Sequence, residues 1–206
     1  MNTTKGALDE HIILGIDPGT NVLGYGLLSV QGRKAKMLAM GVIDLRRVND
    51  VYLRLGRIYE RVMGIIDAFH PDELAIEAPF YGKNVQSMLK LGRAQGVVIA
   101  AAMARQIPIC EYTPMQIKQA ATGSGASSKE QVAALLQRML NIPDDNMLPY
   151  LDATDALGAA YCHYLSYYRR GVKGALPMGL VEKKASKTTS RSWAEFARSN
   201  AGRVRQ

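Results

Sequence analysis

Four carboxylates in this chain have the residue types and settings to share one chemistry. Asp17 ends the apolar run of residues 12–16 (Ile-Ile-Leu-Gly-Ile) immediately before Pro18-Gly19, and Glu77 ends the run Leu74-Ala75-Ile76 just before Pro79. Asp152 and Asp155 stand three apart in a helical stretch, one turn from each other on one face. A carboxylate where a buried strand leaves a sheet costs several kcal/mol or more if it has no partner. Alone, Asp17-Pro18-Gly19 reads as a turn cap; joined by three more acids, it reads as a ligand. Four acids within a few ångströms repel unless cations lie among them, and an all-oxygen donor set suits Mg²⁺ or Mn²⁺. Two such ions about 3.5–4 Å apart activate a water on one side of a phosphodiester and stabilise the leaving oxygen on the other. Hydrolysis of a polyanion's phosphodiester is the chemistry these residues point to.

The elements that must position the acids follow from hydrophobic patterning. Residues 12–17 and 22–30 read as strands joined across Pro18-Gly19, and 34–45 as a third strand completing an antiparallel meander. Gly24 and Gly26 share a face of the second strand, a mark of close approach by another backbone or a ligand. Residues 52–69 form a helix, with Leu55, Ile58, Val62, Ile65, Ile66 and Phe69 at helical spacing and Arg54, Arg57 and Arg61 outside. A right-handed crossover then lays strand 72–77 parallel to the first strand, so that Asp17 and Glu77 emerge side by side. Glu73, opening that strand, reads as a surface residue. Residues 85–106 form a long helix whose Gly92-x-x-x-Gly96 is expected to pack on the sheet. A fifth strand covers 107–112, Pro114 opens a short helix containing Lys118, and Ser128-x-x-Gln131 is a capping box for a helix reaching about Leu140. Residues 150–168 form the helix that carries Asp152 and Asp155, with Leu151, Thr154, Leu157, Ala160, Tyr161 and Tyr164 on roughly one side. Asp144 and Asp145 read as solvated loop charges.

At 206 residues and 48% hydrophobic, the chain can bury one full core. It has neither an 18-residue uncharged apolar run nor a signal-peptide order at its start, and Cys110 and Cys162 read as core thiols, so a cytoplasmic protein is expected. The net charge of +8 is unevenly placed. From Arg169 onward ten Lys/Arg face only Glu182 and Glu195, and sixteen basic and sixteen acidic residues precede them. A neutral body with a basic tail suits a nucleic-acid partner. The organisation expected is a nuclease domain over 1–169 and a basic linker and tail over 170–206. In that tail Ser192-x-x-Glu195, Trp193 and Phe196 suggest a short amphipathic helix. The Gly123–Lys129 loop lacks the glycine that a nucleotide P-loop places before its lysine. His163 points about 100° away from Cys162 on a helix, which is poor geometry for a shared ligand.

Taken together, Ile-Leu-Gly-Ile-Asp17-Pro-Gly-Thr with Gly24-Tyr-Gly, Ala-Ile-Glu77-x-x-Phe-x-x-Lys83-Asn84, Leu-Gly-x-Ala-x-Gly96 and Asp152-Ala-Thr-Asp155-Ala-Leu resemble the RuvC Holliday-junction resolvases. The resemblance runs from about Ile12 to about His163, in order and at the expected spacing. It implies an α/β, ribonuclease H-like fold: a five-stranded mixed sheet, three strands antiparallel and two parallel, flanked by helices. It implies Asp17, Glu77, Asp152 and Asp155 as a metal-binding tetrad for two Mg²⁺, with Mn²⁺ as a substitute. Lys118 and Lys129 match basic residues that serve the scissile phosphate or the DNA backbone, and Phe80 matches an aromatic that stacks on a base near the crossover. Lys83, Lys90 and Arg93 are further candidate DNA contacts on the same side. The function implied is paired symmetric nicking of four-way junctions in recombination and repair. A homodimer would supply the two sites, and a branch-migration helicase is the expected partner. A catalytically silent junction binder would be expected to lack one of the acids, and an actin-like ATPase would need a second phosphate loop and an adenosine motif. The sequence shows all four acids and neither of those motifs.

Overall fold

The computed structural model describes residues 10–79, 84–147 and 150–166. The expected domain boundary, the basic tail with its candidate helix, Phe80 and Lys83 lie outside the described residues. The element order is β1 (Glu10–Asp17), β2 (Val22–Gln31), β3 (Lys34–Asp44), α1 (Val51–Phe69), β4 (Glu73–Glu77), α2 (Val85–Ala104), β5 (Ile109–Tyr112), α3 (Pro114–Thr122), α4 (Lys129–Leu140) and α5 (Leu151–Tyr164). The strands form one sheet in the order β3-β2-β1-β4-β5. The pairings β1–β2 and β2–β3 are antiparallel, β1–β4 and β4–β5 parallel. This is the ribonuclease H-like arrangement that the resemblance implies. No helix among the described residues is long and apolar enough to cross a membrane.

Strand alternation divides the core into two layers. Leu14, Ile16, Leu74 and Ile76 face α1 and α2, where Ile58, Val62, Ile66, Ala94, Val98 and Ala101 complete the packing. Ile13, Leu28, Val30 and Ala75 face the other way, onto α3, α4 and α5. Asp17, Glu73 and Glu77 have the parity of this second face. α1 starts at an Asp50 cap, whose Oδ1 accepts from Leu53 N at 2.8 Å, and ends on His70 in the left-handed region just before Pro71. Both Thr113 and Ser128 close capping boxes, with Gln116 and Gln131, at the starts of α3 and α4.

α5 lies against the backbone of the sheet. A Cβ added at Gly24 would fall 1.9 Å from Asp152 O, at Gly15 2.0 Å from Ala156 O, and at Gly26 2.7 Å from Leu157 Cα. The three glycines form a trough in which the helix rests, and α3 and α4 cover its other side. Residues 153–164 are therefore buried all round, whereas helical spacing alone suggested one apolar side.

Two expectations are corrected. Gly92 and Gly96 do not pack on the sheet: both are exposed, with open space where a Cβ would go, and Ala94, Val98, Ala101 and Ala102 face the sheet instead. Glu73 is buried, 7% exposed, because distant groups satisfy it. His163 Nε2 donates to Glu73 Oε2 at 2.6 Å, and the Tyr112 hydroxyl bonds His163 Nδ1 at 2.7 Å. His11 Nε2 lies 3.2 Å from the same carboxylate oxygen. Burial opposes the Glu73 charge, yet the hydrogen bonds from His11 and His163 outweigh it and bring the carboxyl from 4.5 down to about 2.

A depressed carboxyl stabilises the fold above its unfolded value and loses that contribution as pH falls through the folded one. Glu73→Gln is thus expected to lower stability at pH 7 by about 3 kcal/mol, the scale of that shift. The difference from wild type should shrink steadily below pH 4.5. Denaturant titrations at several pH values between 3 and 7 measure it, and a pH-independent difference would mean that packing, not charge, holds the contact.

Candidate active site

The β1–β4 register sets Ile16 beside Ile76, so the next residues, Asp17 and Glu77, leave the sheet as neighbours. They line one small crevice of about 120 Å³ with Pro18, Ala78, Pro79 and Leu91. α5 brings its first turn to the same place, because its start rests on Gly24, the residue paired with Asp17 across β1 and β2. Asp152 is half-buried and Asp155 is 8% exposed. Lys129, the first residue of α4, places Nζ on Asp155 Oδ2.

The charges feel one another. Burial first, then Glu77, Asp155 and Asp152, hold the Asp17 carboxyl well above its usual range, with Lys129 acting in the opposite sense. Burial and Asp155 push Glu77 up to about 7 against Lys129 and Lys118. Asp155 is raised by burial, although the Lys129 hydrogen bond and charge oppose this. Burial lowers the Lys129 ammonium, but its bond to Asp155 and the surrounding carboxylates raise it on balance. Such a cluster takes up protons unless cations replace them. All four donors are carboxylates, a set that fits a hard divalent cation and not a thiophilic one. Among the described residues no three of the acids converge as a ready cage. The fit to a divalent ion therefore rests on donor chemistry and mutual repulsion.

The sequence-derived residues fall into three groups. Asp17, Glu77, Asp152, Asp155 and Lys129 come together, and Lys118 on α3 is near enough for its charge to lower Glu77 and Asp155. Lys90 on α2 lines a larger groove of about 670 Å³ that reaches Asp152. Arg93 is exposed one turn further along α2 and is not among the residues lining that groove. The groove also contains Thr20, the last residue of the Asp17 motif, and Asn21, Asn49, Arg54 and Ser87, which no motif singled out. Arg54 is a further correction, since helical spacing put it on the outer face of α1. Its guanidinium instead turns back to Val48 O, Thr20 O and Asn21 Oδ1. Periodicity fixes where a side chain leaves a helix, and not where a long one ends.

The family model for the crossover junction endodeoxyribonuclease RuvC matches residues 13–163. The RuvC of Porphyromonas gingivalis is 54% identical over 196 residues, covering 95% of this chain and 98% of that protein. That of Bacteroides fragilis is 55% identical over the same length, covering 95% and 97%. Both alignments extend well beyond His163, so similarity to these relatives takes in much of the basic tail. Among solved structures, Thermus thermophilus RuvC in complex with a Holliday junction substrate superposes with a TM-score of 0.70 at 34% identity, covering 78% of this chain and 95% of that one.

Proposed function

The chain belongs to the crossover junction endodeoxyribonuclease RuvC family, and from that premise we propose that Asp17, Glu77, Asp152 and Asp155 hold two divalent cations, Mg²⁺ or Mn²⁺, with which it nicks four-way DNA junctions in paired, opposed strands. The enzyme is an endonuclease and a Holliday-junction resolvase. Nucleases of this family are metal-dependent. The observation that carries the residue assignment is that two neighbouring strand ends and the first turn of α5 bring their carboxylates near enough to repel one another.

Divalent cations supply, when bound, a more acidic attacking water and an offset for charge on the phosphate oxygens. The chain's own groups do the rest. Asp17 and Glu77 hold fixed positions because the sheet register fixes their strands. Asp152 and Asp155 are set by the contact of α5 with the glycine trough. Lys129 offsets part of the burial that raises Asp155, and with Lys118 adds positive charge on the side from which a phosphate backbone would approach. Lys83, Lys90 and Arg93 extend that charge as DNA contacts, and Phe80 stacks on a base at the opened crossover. Residues 1–169 form the nuclease domain, and the basic segment 170–206 adds backbone affinity. The resemblance also supports work in the cytoplasm beside a branch-migration helicase.

Two opposed nicks require two sites related by a two-fold axis, and one chain supplies one. α2 offers a surface for that pairing. Val85, Leu89, Gly92, Gly96, Ala100 and Met103 recur along its outer side and all are exposed. Open space over both glycines would let a second helix come close. Leu89→Asp is expected to convert a dimer into monomers at micromolar concentration and to uncouple the nicks, so that singly nicked junctions accumulate. Sedimentation with a nicking time course measures both, and an undisturbed dimer would exclude this face.

The overall reading is tested with an end-labelled synthetic four-way junction incubated with Mg²⁺ or Mn²⁺. Symmetric nicks in opposed strands are expected. An uncut junction, or equal cutting of linear duplex, would overturn it.

A further inference from the structure

Asn21 stands in the turn between β1 and β2, four residues past Asp17, and is exposed. Its Oδ1 accepts from Arg54 Nη1 at 2.6 Å; the same nitrogen reaches Thr20 O at 3.1 Å, and Arg54 Nε donates to Val48 O at 2.5 Å. On the other side the Asn21 carbonyl accepts from Leu45 N at 2.8 Å. A guanidinium has only donors, so the amide atom that faces it must be the oxygen. The amide nitrogen and its two hydrogens are thereby turned away from Arg54, and no hydrogen bond within the described residues uses them. Most asparagines in surface turns sample several orientations. This one is held, with its donor end presented.

Asn21 lines the groove that leads to the carboxylates. Gly19, Thr20 and Asn21 form one wall, Ser87, Lys90 and Leu91 of α2 line it too, and Asp152 connects it to the cluster. A strand entering between the turn and α2 would meet an oriented N–H₂ group and the Lys90 ammonium, both complementary to anionic oxygen. We propose that Asn21 is a DNA contact, aimed by Arg54, that donates to a backbone phosphate of the strand delivered to the carboxylate cluster. Arg54 is then a positioning residue, and it steadies the turn that carries Asp17. The inference rests on the nuclease reading of the site and adds to it a contact made before any chemistry. Donation to phosphate positions the strand and carries no sequence information.

Asn21→Asp separates this role from a structural one. The aspartate keeps the shape and strengthens the link to Arg54 by making it an ion pair, but presents a carboxylate oxygen where the donor was. Junction affinity, measured by fluorescence anisotropy in EDTA so that no cleavage intervenes, is expected to fall by about tenfold or more, the size of one charge-assisted hydrogen bond. Melting temperature should stay level or rise. Asn21→Ala should bind a few-fold more weakly, and Arg54→Lys should weaken binding similarly despite its unchanged charge, because a single ammonium nitrogen cannot replace donation from two separated guanidinium nitrogens. Wild-type affinity in Asn21→Asp would overturn the contact. A parallel loss of melting temperature in that variant would make Asn21 structural. A loss confined to one junction sequence would make it a base reader and overturn the phosphate assignment. Failure of the wild-type protein to bind junctions at all would instead count against the nuclease reading.

Discussion

Asp17→Asn is expected to yield a protein that binds four-way junctions as well as wild type and cuts them about a hundred- to a thousandfold more slowly, the scale of losing one charge-stabilising group from a preorganised site. Asparagine is nearly the same shape, so the β1–β2 turn and the groove beside it persist. The contacts proposed for Lys90, Lys118 and Lys129 persist with them. Stability offers a second readout. A carboxyl whose folded pKa is raised costs stability in full above that folded value, and the cost is relieved as pH falls from the folded value towards the unfolded one. Asp17 is raised well above its ordinary value by burial and by Glu77. In metal-free buffer at pH 7 the variant should therefore melt above wild type. Added Mg²⁺ should raise the melting temperature of wild type, by mass action on the folded state, and should raise the variant's much less. Nicking above a few per cent of the wild-type rate, or equal metal-induced stabilisation of both proteins, would remove Asp17 from the ligand set.

What could be read from the sequence was local or periodic. An apolar run that breaks into Asp17-Pro18-Gly19 marks a strand exit within a few residues, and Glu77 before Ala78-Pro79 does the same. The spacing of Asp152 and Asp155 needs only the helical repeat. Gly24 and Gly26 on one strand face signalled close approach, and α5 is the backbone that approaches. What stayed hidden depends on partners distant in sequence. Glu73 looked exposed because nothing near it in sequence could satisfy a buried carboxylate, yet His163 lies 90 residues away and donates to it. Burial of α5 on every side needs α3 and α4 on top of it, which its own pattern does not encode. Gly92 and Gly96 match a packing spacing equally well on either face of α2, and only the assembled sheet shows that the alanines face inward.

The second large effect is expected at Gly24, a residue with no chemistry of its own. A methyl group there would sit 1.9 Å from Asp152 O and 2.4 Å from Asp152 C, so Gly24→Ala must displace the first turn of α5 by more than 1 Å. That turn can move. It begins at Leu151 beside Tyr150, whose side chain makes no capping bond, and Asp152 is only half-buried. The stability cost should stay on the order of 1–3 kcal/mol, typical of overpacking that its surroundings can absorb. Asp152 and Asp155 travel with the turn, however, and a misplacement of about 1 Å at reacting groups costs on the order of a hundredfold in rate. Gly15→Ala should behave differently. Its added methyl meets Ala156 O at 2.0 Å and Ala160 N at 2.8 Å in the middle of a helix buried all round, where no end is free to shift. A loss above about 4 kcal/mol, or no folded protein, is expected there. Melting curves and single-turnover cleavage of a labelled junction compare the two. A Gly24→Ala protein that folds, binds and cuts like wild type would mean that the position of α5 does not set the geometry of the carboxylates.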